Sequence, residues 1–255
     1  LPNGNILLIS YDRRTQEEVL ALGKIAHNGD FWSETIFEIE PIGIDEYNII
    51  WTWSLFDHLI QEENPDLDNF AIISENPDKL DINYMAQNDE GPLPPQFYNP
   101  DFLHINAIDY NPELDLIVFS SRKSNEIYII DHSTTTEEAS SSFGGNYNKG
   151  GSFLYRWGNP MVYHRGTISD QKLFAPHAVN WIDGSLDHLL IFNNGYLRPV
   201  EDNMDVPYSS IEEIVTPFNE NEGYYISDID PYGPIDYFWY YTDYSSYSNI
   251  QSGAF

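Results

Sequence analysis

The sequence predicts an all-β protein of the propeller type, and three observations carry that expectation. Short β-branched and aromatic runs recur along the chain, each bounded by turn residues. Helical periodicity is scarce. A two-strand phrase also occurs twice, as His104-Ile-Asn-Ala-Ile-Asp with Asp115-Leu-Ile-Val-Phe and as His177-Ala-Val-Asn-Trp-Ile-Asp with His188-Leu-Leu-Ile-Phe, so that His104 and His177 start units 73 residues apart. Many short strands in irregular units of four are the pattern of propeller blades.

In chain order, strands are expected at 5–10, 35–40, 48–53, 103–110, 115–120, 126–131 and 152–157, then at 176–182, 188–193, 211–216, 223–227 and 235–241. The turns between them are explicit: Asn3-Gly4, Asp183-Gly184, Asn194-Gly195 and Tyr232-Gly233-Pro234. Each unit is expected to pass through a third strand to an aromatic or β-branched fourth, at Ile49-Ile-Trp-Thr-Trp, Phe153-Leu-Tyr-Arg-Trp, Glu213-Ile-Val-Thr and Tyr237-Phe-Trp-Tyr-Tyr. Thr15-Gln-Glu-Glu18 has the capping-box spacing for a short helix to about Lys24, and Ser54 to Gln61 suits another. Two segments read as long loops: 62–100, with Gly91-Pro-Leu-Pro-Pro95, and 132–151, with Ser140-Ser-Ser-Phe-Gly-Gly-Asn. Long loops on such a frame cover a functional face, and for 132–151 a solvated insertion is an equal alternative. About four blades are visible where closed propellers carry ~4–8. The chain opens on a second-strand phrase and ends where a first strand should run, so the expectation is one propeller domain over 1–255, truncated at both ends.

Composition narrows the function classes. Eleven Lys+Arg against 41 Asp+Glu give a net charge of −30 over 255 residues, which repels phosphate backbones and anionic lipid. Nucleic acid and bare membrane surfaces are therefore not expected partners. No window approaches the ~18 uninterrupted apolar residues of a spanning helix, so no membrane insertion is expected. The absence of cysteine removes disulfides, thiolate metal sites and cysteine nucleophiles.

Chemistry must then come from other side chains, and the seven histidines stand out. His58 follows Ile49-Ile-Trp-Thr-Trp-Ser-Leu-Phe-Asp, His104 sits in Asp101-Phe-Leu-His-Ile-Asn, and His177 sits in Phe174-Ala-Pro-His-Ala-Val. All three fall at strand starts or just past strand ends, where blade loops meet a central channel. Arg122, in Phe119-Ser-Ser-Arg-Lys-Ser-Asn, ends an apolar strand. His27, His132, His164 and His188 read as structural or surface residues, and Asn193-Asn194-Gly195 reads first as a turn. Phe102, Tyr155, Trp157 and Trp181 suit either blade packing, the commoner role, or an aromatic channel lining.

These phrases together resemble the bacterial arylsulfotransferase family, of the type that uses no nucleotide sulfate donor. The resemblance runs in order through Trp51-Thr-Trp-Ser-Leu-Phe-Asp-His58, His104-Ile-Asn106, Ser120-Ser-Arg122-Lys-Ser-Asn-Glu-Ile, Tyr155-Arg-Trp-Gly-Asn-Pro160, Pro176-His177 and Leu190-Ile-Phe-Asn-Asn-Gly195. It implies a six-bladed β-propeller with its active site in the central channel. It also implies transfer of a sulfuryl group from a phenolic sulfate donor to a phenolic acceptor. By the same resemblance His177 is the nucleophile, transiently sulfated on nitrogen, with His104, Arg122 and His58 as further catalytic residues and Asn106 in substrate binding. No metal and no cofactor are implied, the location is periplasmic or secreted, and a homodimer through regions this chain lacks fits the pattern.

The residue types suit that chemistry. A neutral imidazole, of ordinary pKa ~6.5, is a good nucleophile near neutral pH, and an N-sulfated imidazole discharges to a second acceptor. Arg122 supplies a forked cation for the sulfuryl oxygens. A phenol of pKa ~10 needs a proton donor as leaving group and a base as attacker, a role that suits His104, with His58 holding the sulfuryl group or sharing it. Two rivals stand beside this reading. One has His58, His104 and His177 ligating a dication for hydrolase or lyase chemistry, which Arg122 would oppose. The other is a catalytically silent binding propeller.

Overall fold

Turn chemistry and alternating burial divide the chain into antiparallel meanders, which a computed structural model describes for residues 1–25, 27–84, 100–199, 207–242, 246–250 and 252–253. The described residues are mostly β, with 38% strand and 11% helix, in line with the all-β expectation. The run Gly91 to Pro95 in the predicted 62–100 loop lies outside the described residues. Among the described residues no helix is long and apolar enough to cross a membrane. The chain forms two compact units, the first of Leu1–His104, Asp131–Phe153 and Val162–His164, the second of Ile105–Ile130, Leu154–Met161 and Arg165–Phe255.

In the first unit, β1 (Ile6–Arg14), β2 (Phe31–Ile42) and β3 (Glu46–Ser54) form a three-stranded antiparallel sheet in chain order. Between β1 and β2 lies α1 (Gln16–Ala21), and its predicted capping box is made: Glu18 N–H donates to Thr15 Oγ1 and Thr15 N–H donates to the Glu18 carboxylate. Those bonds hold the Glu18 carboxyl below its usual range. The helix predicted over 54–61 is instead one 3₁₀ turn, Leu55–His58, running into β4 (Leu59–Ile60), which pairs in parallel with β5 (Leu80–Asp81). The predicted 132–151 loop contains α2 (Thr136–Ala139), with a second capping box between Thr135 and Glu138. This segment packs on two buried tryptophans, since Trp51 Nε1 donates to Thr134 Oγ1 (3.0 Å) and Trp53 Nε1 to the Gly151 carbonyl (2.8 Å).

The second unit contains two four-stranded antiparallel sheets. One is β6 (Ile105–Asn111), β7 (Leu116–Ser121), β8 (Glu126–Asp131) and β9 (Tyr155–Trp157), in chain order. Every residue of β7 and β8 is buried, as expected for strands covered on both faces. The other is β10 (Pro176–Trp181), β11 (His188–Asn193), β12 (Ser210–Val215) and, after the hairpin of β13 (Phe218–Asn219) and β14 (Gly223–Tyr224), the edge strand β15 (Trp239–Thr242). The 211–216 run, expected as a fourth strand, is thus the third, and the 223–227 run shortens to a two-residue hairpin arm. The first strands β6 and β10 lie side by side.

Strand register corrects the phase of the repeat. Ile105 of β6 pairs with Ser121 and Pro176 of β10 pairs with Asn193, so the first strands correspond at a spacing of 71 residues, from Ile105 to Pro176, instead of 73. Each first-strand ladder slips directly after its opening pairs, between Ile105 and Ala107 and between His177 and Asn180. By that spacing His177 falls at Asn106 and His104 at Ala175, but the two slips differ: His177 pairs with Phe192, whereas the slip falls on Asn106 itself. Left-handed backbone at both His104 and Ala175, φ 56° each, supports the alignment.

Candidate functional site

The entry to β10 is strained and strongly tied down. Ala175 (φ 56°) and Ala178 (φ 50°) flank His177 in the left-handed region, which costs an alanine roughly 1–2 kcal/mol. With the bulge, this aims His177 away from the regular strand direction. Side-chain amides hold the strained segment in place. Asn125 Oδ1 accepts the Ala175 N–H (2.7 Å), Asn193 Oδ1 the Phe174 N–H (2.9 Å), and Asn106 Nδ2 donates to the Pro176 carbonyl (2.8 Å).

The tautomer of His177 follows from its partners. Its Nδ1 lies 2.6 Å from Asn194 Oδ1 and 3.2 Å from the Ala175 carbonyl, while Asn194 Nδ2 donates to the Ser248 carbonyl at 2.6 Å. Both atoms facing Nδ1 are acceptors, so Nδ1 carries the proton and Nε2 the lone pair. The ring is 7% exposed, and His177 lines a cavity of about 850 Å³ together with Asn106, Asp109, Val179, Trp181 and Leu190. That volume suits a small aromatic molecule, for which sites span ~300–1,000 Å³.

Asn106 and His177 are thus brought to one cavity wall in the second unit. Asn106 is committed to the frame on both ends of its amide, since its Oδ1 also accepts from Ser120 Oγ at 2.6 Å. Arg122, just past β7, is half-buried, with its guanidinium 5.2 Å from the centre of the Tyr196 ring. Burial pushes its pKa down, opposed by Tyr196 and Tyr247, and a guanidinium remains cationic across neutral pH. Tyr196 and Tyr247 directly follow and precede Gly195 and Ser248, next to the Asn194–Ser248 bond that orients His177.

The other two predicted residues belong to the first unit. His104, the last residue of that unit, is partly exposed, and its Nδ1 lies 2.6 Å from Asp101 Oδ2. A carboxylate there fixes the ring with its proton on Nδ1. Asp101 is itself anchored by strand-like pairing with Trp32, whose carbonyl accepts the Phe102 N–H (2.9 Å). His58 has a different setting: it is fully buried and stacked on Trp53, with ring centroids 5.3 Å apart. Its Nε2 donates to the Ala139 carbonyl (2.9 Å) and its Nδ1 faces Lys79 Nζ at 3.3 Å. Burial, and after it Lys79, push its pKa down to about 3. Among the described residues, no group of three or more His, Asp or Glu is arranged to hold a metal ion.

Four contributors escaped the sequence reading. Asn194 and Asn193 carried a visible signal, an Asn-Asn-Gly at a strand end, but it reads as a turn. Asp101 stands three residues before His104, a spacing that by itself carries no signal of pairing in an extended segment. Asn125 gave no signal of its own, because its partner is a backbone N–H 50 residues away.

No curated protein matches the chain. A family model does: the one described as Arylsulfotransferase (ASST) matches residues 1–216. That match covers well over half of the sequence and includes every candidate residue named above. The chain belongs to the arylsulfotransferase family, enzymes that transfer sulfuryl groups between small molecules.

Proposed function

We propose that this chain moves a sulfuryl group from a phenolic sulfate ester to a phenolic acceptor by a ping-pong mechanism, with Nε2 of His177 as the transient carrier. The observation that carries the proposal is the double acceptor pair on His177 Nδ1, which in the neutral ring puts the lone pair on Nε2, together with the place of His177 in the lining of a cavity of about 850 Å³. In the first half-reaction Nε2 attacks sulfur and the bond between sulfur and the aryl oxygen breaks. Its electron pair goes to the phenolic oxygen, which takes a proton from His104. In the second, the acceptor phenol gives its proton to His104 and attacks sulfur, and the N–S pair returns to Nε2. Because Nδ1 stays protonated throughout, the sulfated ring is an electron-poor and therefore good leaving group.

Arg122 stabilises the sulfuryl oxygens as charge develops on them. His104 is the acid and base, oriented by Asp101. Asn106 acts on the substrate pocket through the Pro176 carbonyl. His58, with both ring nitrogens engaged and no exposed surface, serves in this reading as a framework residue of the first unit. The two four-stranded sheets of the second unit are read as propeller blades, a reading supported by their meander order and adjacent first strands. A periplasmic or secreted location follows from the family resemblance.

Steady-state kinetics test the mechanism. With a nitrophenyl sulfate donor and a phenol acceptor, double-reciprocal plots at several acceptor concentrations are expected to be parallel, and His177→Ala is expected to lose the nitrophenol burst. Intersecting lines with no burst in wild type would replace the covalent relay by direct transfer, and an intact burst in His177→Ala would move the carrier to another residue. A folded wild type without any turnover would favour a binding propeller.

A further inference from the structure

Behind the His177 corner, Asn193 makes all four bonds an amide can make. Its Nδ2 donates to the Lys172 carbonyl and to Glu212 Oε1, both at 2.9 Å. Its Oδ1 accepts the N–H groups of Phe174 (2.9 Å) and Gly195 (3.3 Å). One pair of bonds fixes the segment leading into His177, and the Gly195 bond fixes the turn that presents Asn194 to His177 Nδ1. Three of the four partners are backbone groups. The fourth, Glu212 on β12, is 1% exposed and also accepts from Ser210 Oγ at 2.8 Å.

A carboxylate buried in a sheet carries a large desolvation cost and is a poor choice for stability alone. Here its oxygen orients the one amide that both halves of the His177 corner share. We propose that Glu212 is a positioning residue for the nucleophile, acting through Asn193 to hold the Phe174 and Gly195 N–H groups and hence the hydrogen bond between Asn194 and His177. This inference rests on the reading of His177 as the nucleophile and deepens it.

The positioning carries a pH dependence. Burial raises the Glu212 carboxyl from 4.5 to about 7, against the opposing pull of Arg198 and of the Ser210, Asn193 and Tyr237 hydroxyl and amide groups. The charged and titratable groups around it are Arg198 at 3.5 Å and Tyr237, with Tyr208, Asp236 and Lys172 facing Tyr237 in turn. Above the midpoint the carboxylate holds Asn193 by a charge-assisted bond, and below it a neutral acid holds it more weakly. Sulfation of His177 therefore rises with pH through about 7, in step with loss of the Glu212 proton.

The test is the nitrophenol burst after rapid mixing with nitrophenyl sulfate, followed from mildly acid to mildly alkaline pH in wild type, Glu212→Gln and Arg198→Gln. Glutamine mimics the protonated acid. Glu212→Gln is expected to follow wild type on the acid side and to fall about tenfold below it on the alkaline side, with donor affinity unchanged. Arg198→Gln removes the cation that favours the carboxylate, so its rate step is expected to move to higher pH. A merely structural role would lower the burst amplitude, the folded fraction, and leave rate constant and pH step alone. Unchanged rate and pH step in both variants, with a normal wild-type burst, would overturn this inference only. If Glu212→Gln does not fold, a pH step unmoved in Arg198→Gln overturns it by itself. A wild type with no His177-dependent burst would overturn the nucleophile reading and this inference together.

Discussion

A histidine that attacks sulfur and is later expelled must keep one ring nitrogen protonated and fixed while the other reacts. His177 meets that requirement through two acceptors on Nδ1, and neither the Asn194 amide oxygen nor the Ala175 carbonyl can reverse roles while Asn194 Nδ2 is bound to Ser248. His104 is suited to the complementary role of an acid–base group, because Asp101 on Nδ1 fixes the ring and its tautomer. Asp101→Asn removes the carboxylate that holds His104 Nδ1 and keeps a side chain of the same shape there. It is expected to slow turnover with an ordinary phenol acceptor by about a hundredfold, the lower range of general acid–base contributions, while sparing the burst from nitrophenyl sulfate, whose leaving group needs little protonation. Equal loss in both half-reactions would assign Asp101 a purely structural role.

At the scale of elements, the packing of α2 onto β3 explains the setting of His58. Gly151 runs directly over the His58 ring: a Cβ there would lie 2.6 Å from His58 Nε2 and overlap the Ala139 carbonyl. Gly151→Ala is therefore expected to destabilise the protein by about 3 kcal/mol, as an overpacked core does, read as a lower midpoint in denaturant unfolding. A midpoint equal to wild type would mean that this segment is free to shift. Strand positions were largely legible, because apolar runs such as Leu116 to Phe119 and Ile127 to Ile130 sit between turn residues. The phase of the repeat was not. Two identical letters, His104 and His177, invite alignment at 73 residues, whereas the opening pairs of the two ladders lie 71 residues apart and each ladder slips soon after. Helix α2 was legible in principle from Thr135-Thr-Glu-Glu138-Ala, the same capping-box spacing that located α1, but the serine-rich stretch after it obscured the signal.

For the whole molecule, the division between legible and hidden follows the kind of partner each residue has. His177, His104 and Arg122 stood out because their chemistry is rare in so acidic a chain. The asparagines at 106, 125 and 193 hold the His177 segment through backbone groups distant in sequence, Asn194 holds the ring itself, and asparagine is ordinary in turns, so only the fold reveals them as a cradle. The charge of −30 adds a constraint at this scale: the long-range field repels an anion such as a sulfate ester, so the proposed function requires a local cation, the role proposed for Arg122. The most direct measurement is the location of the sulfuryl group after brief mixing of the full chain with nitrophenyl sulfate, digestion at alkaline pH and tandem mass spectrometry of the peptides. The expected result is one sulfuryl group on the peptide containing His177, absent from His177→Ala and discharged by added phenol. A stable adduct on His104 or a tyrosine, or turnover without any adduct, would contradict the assignment of His177 as carrier.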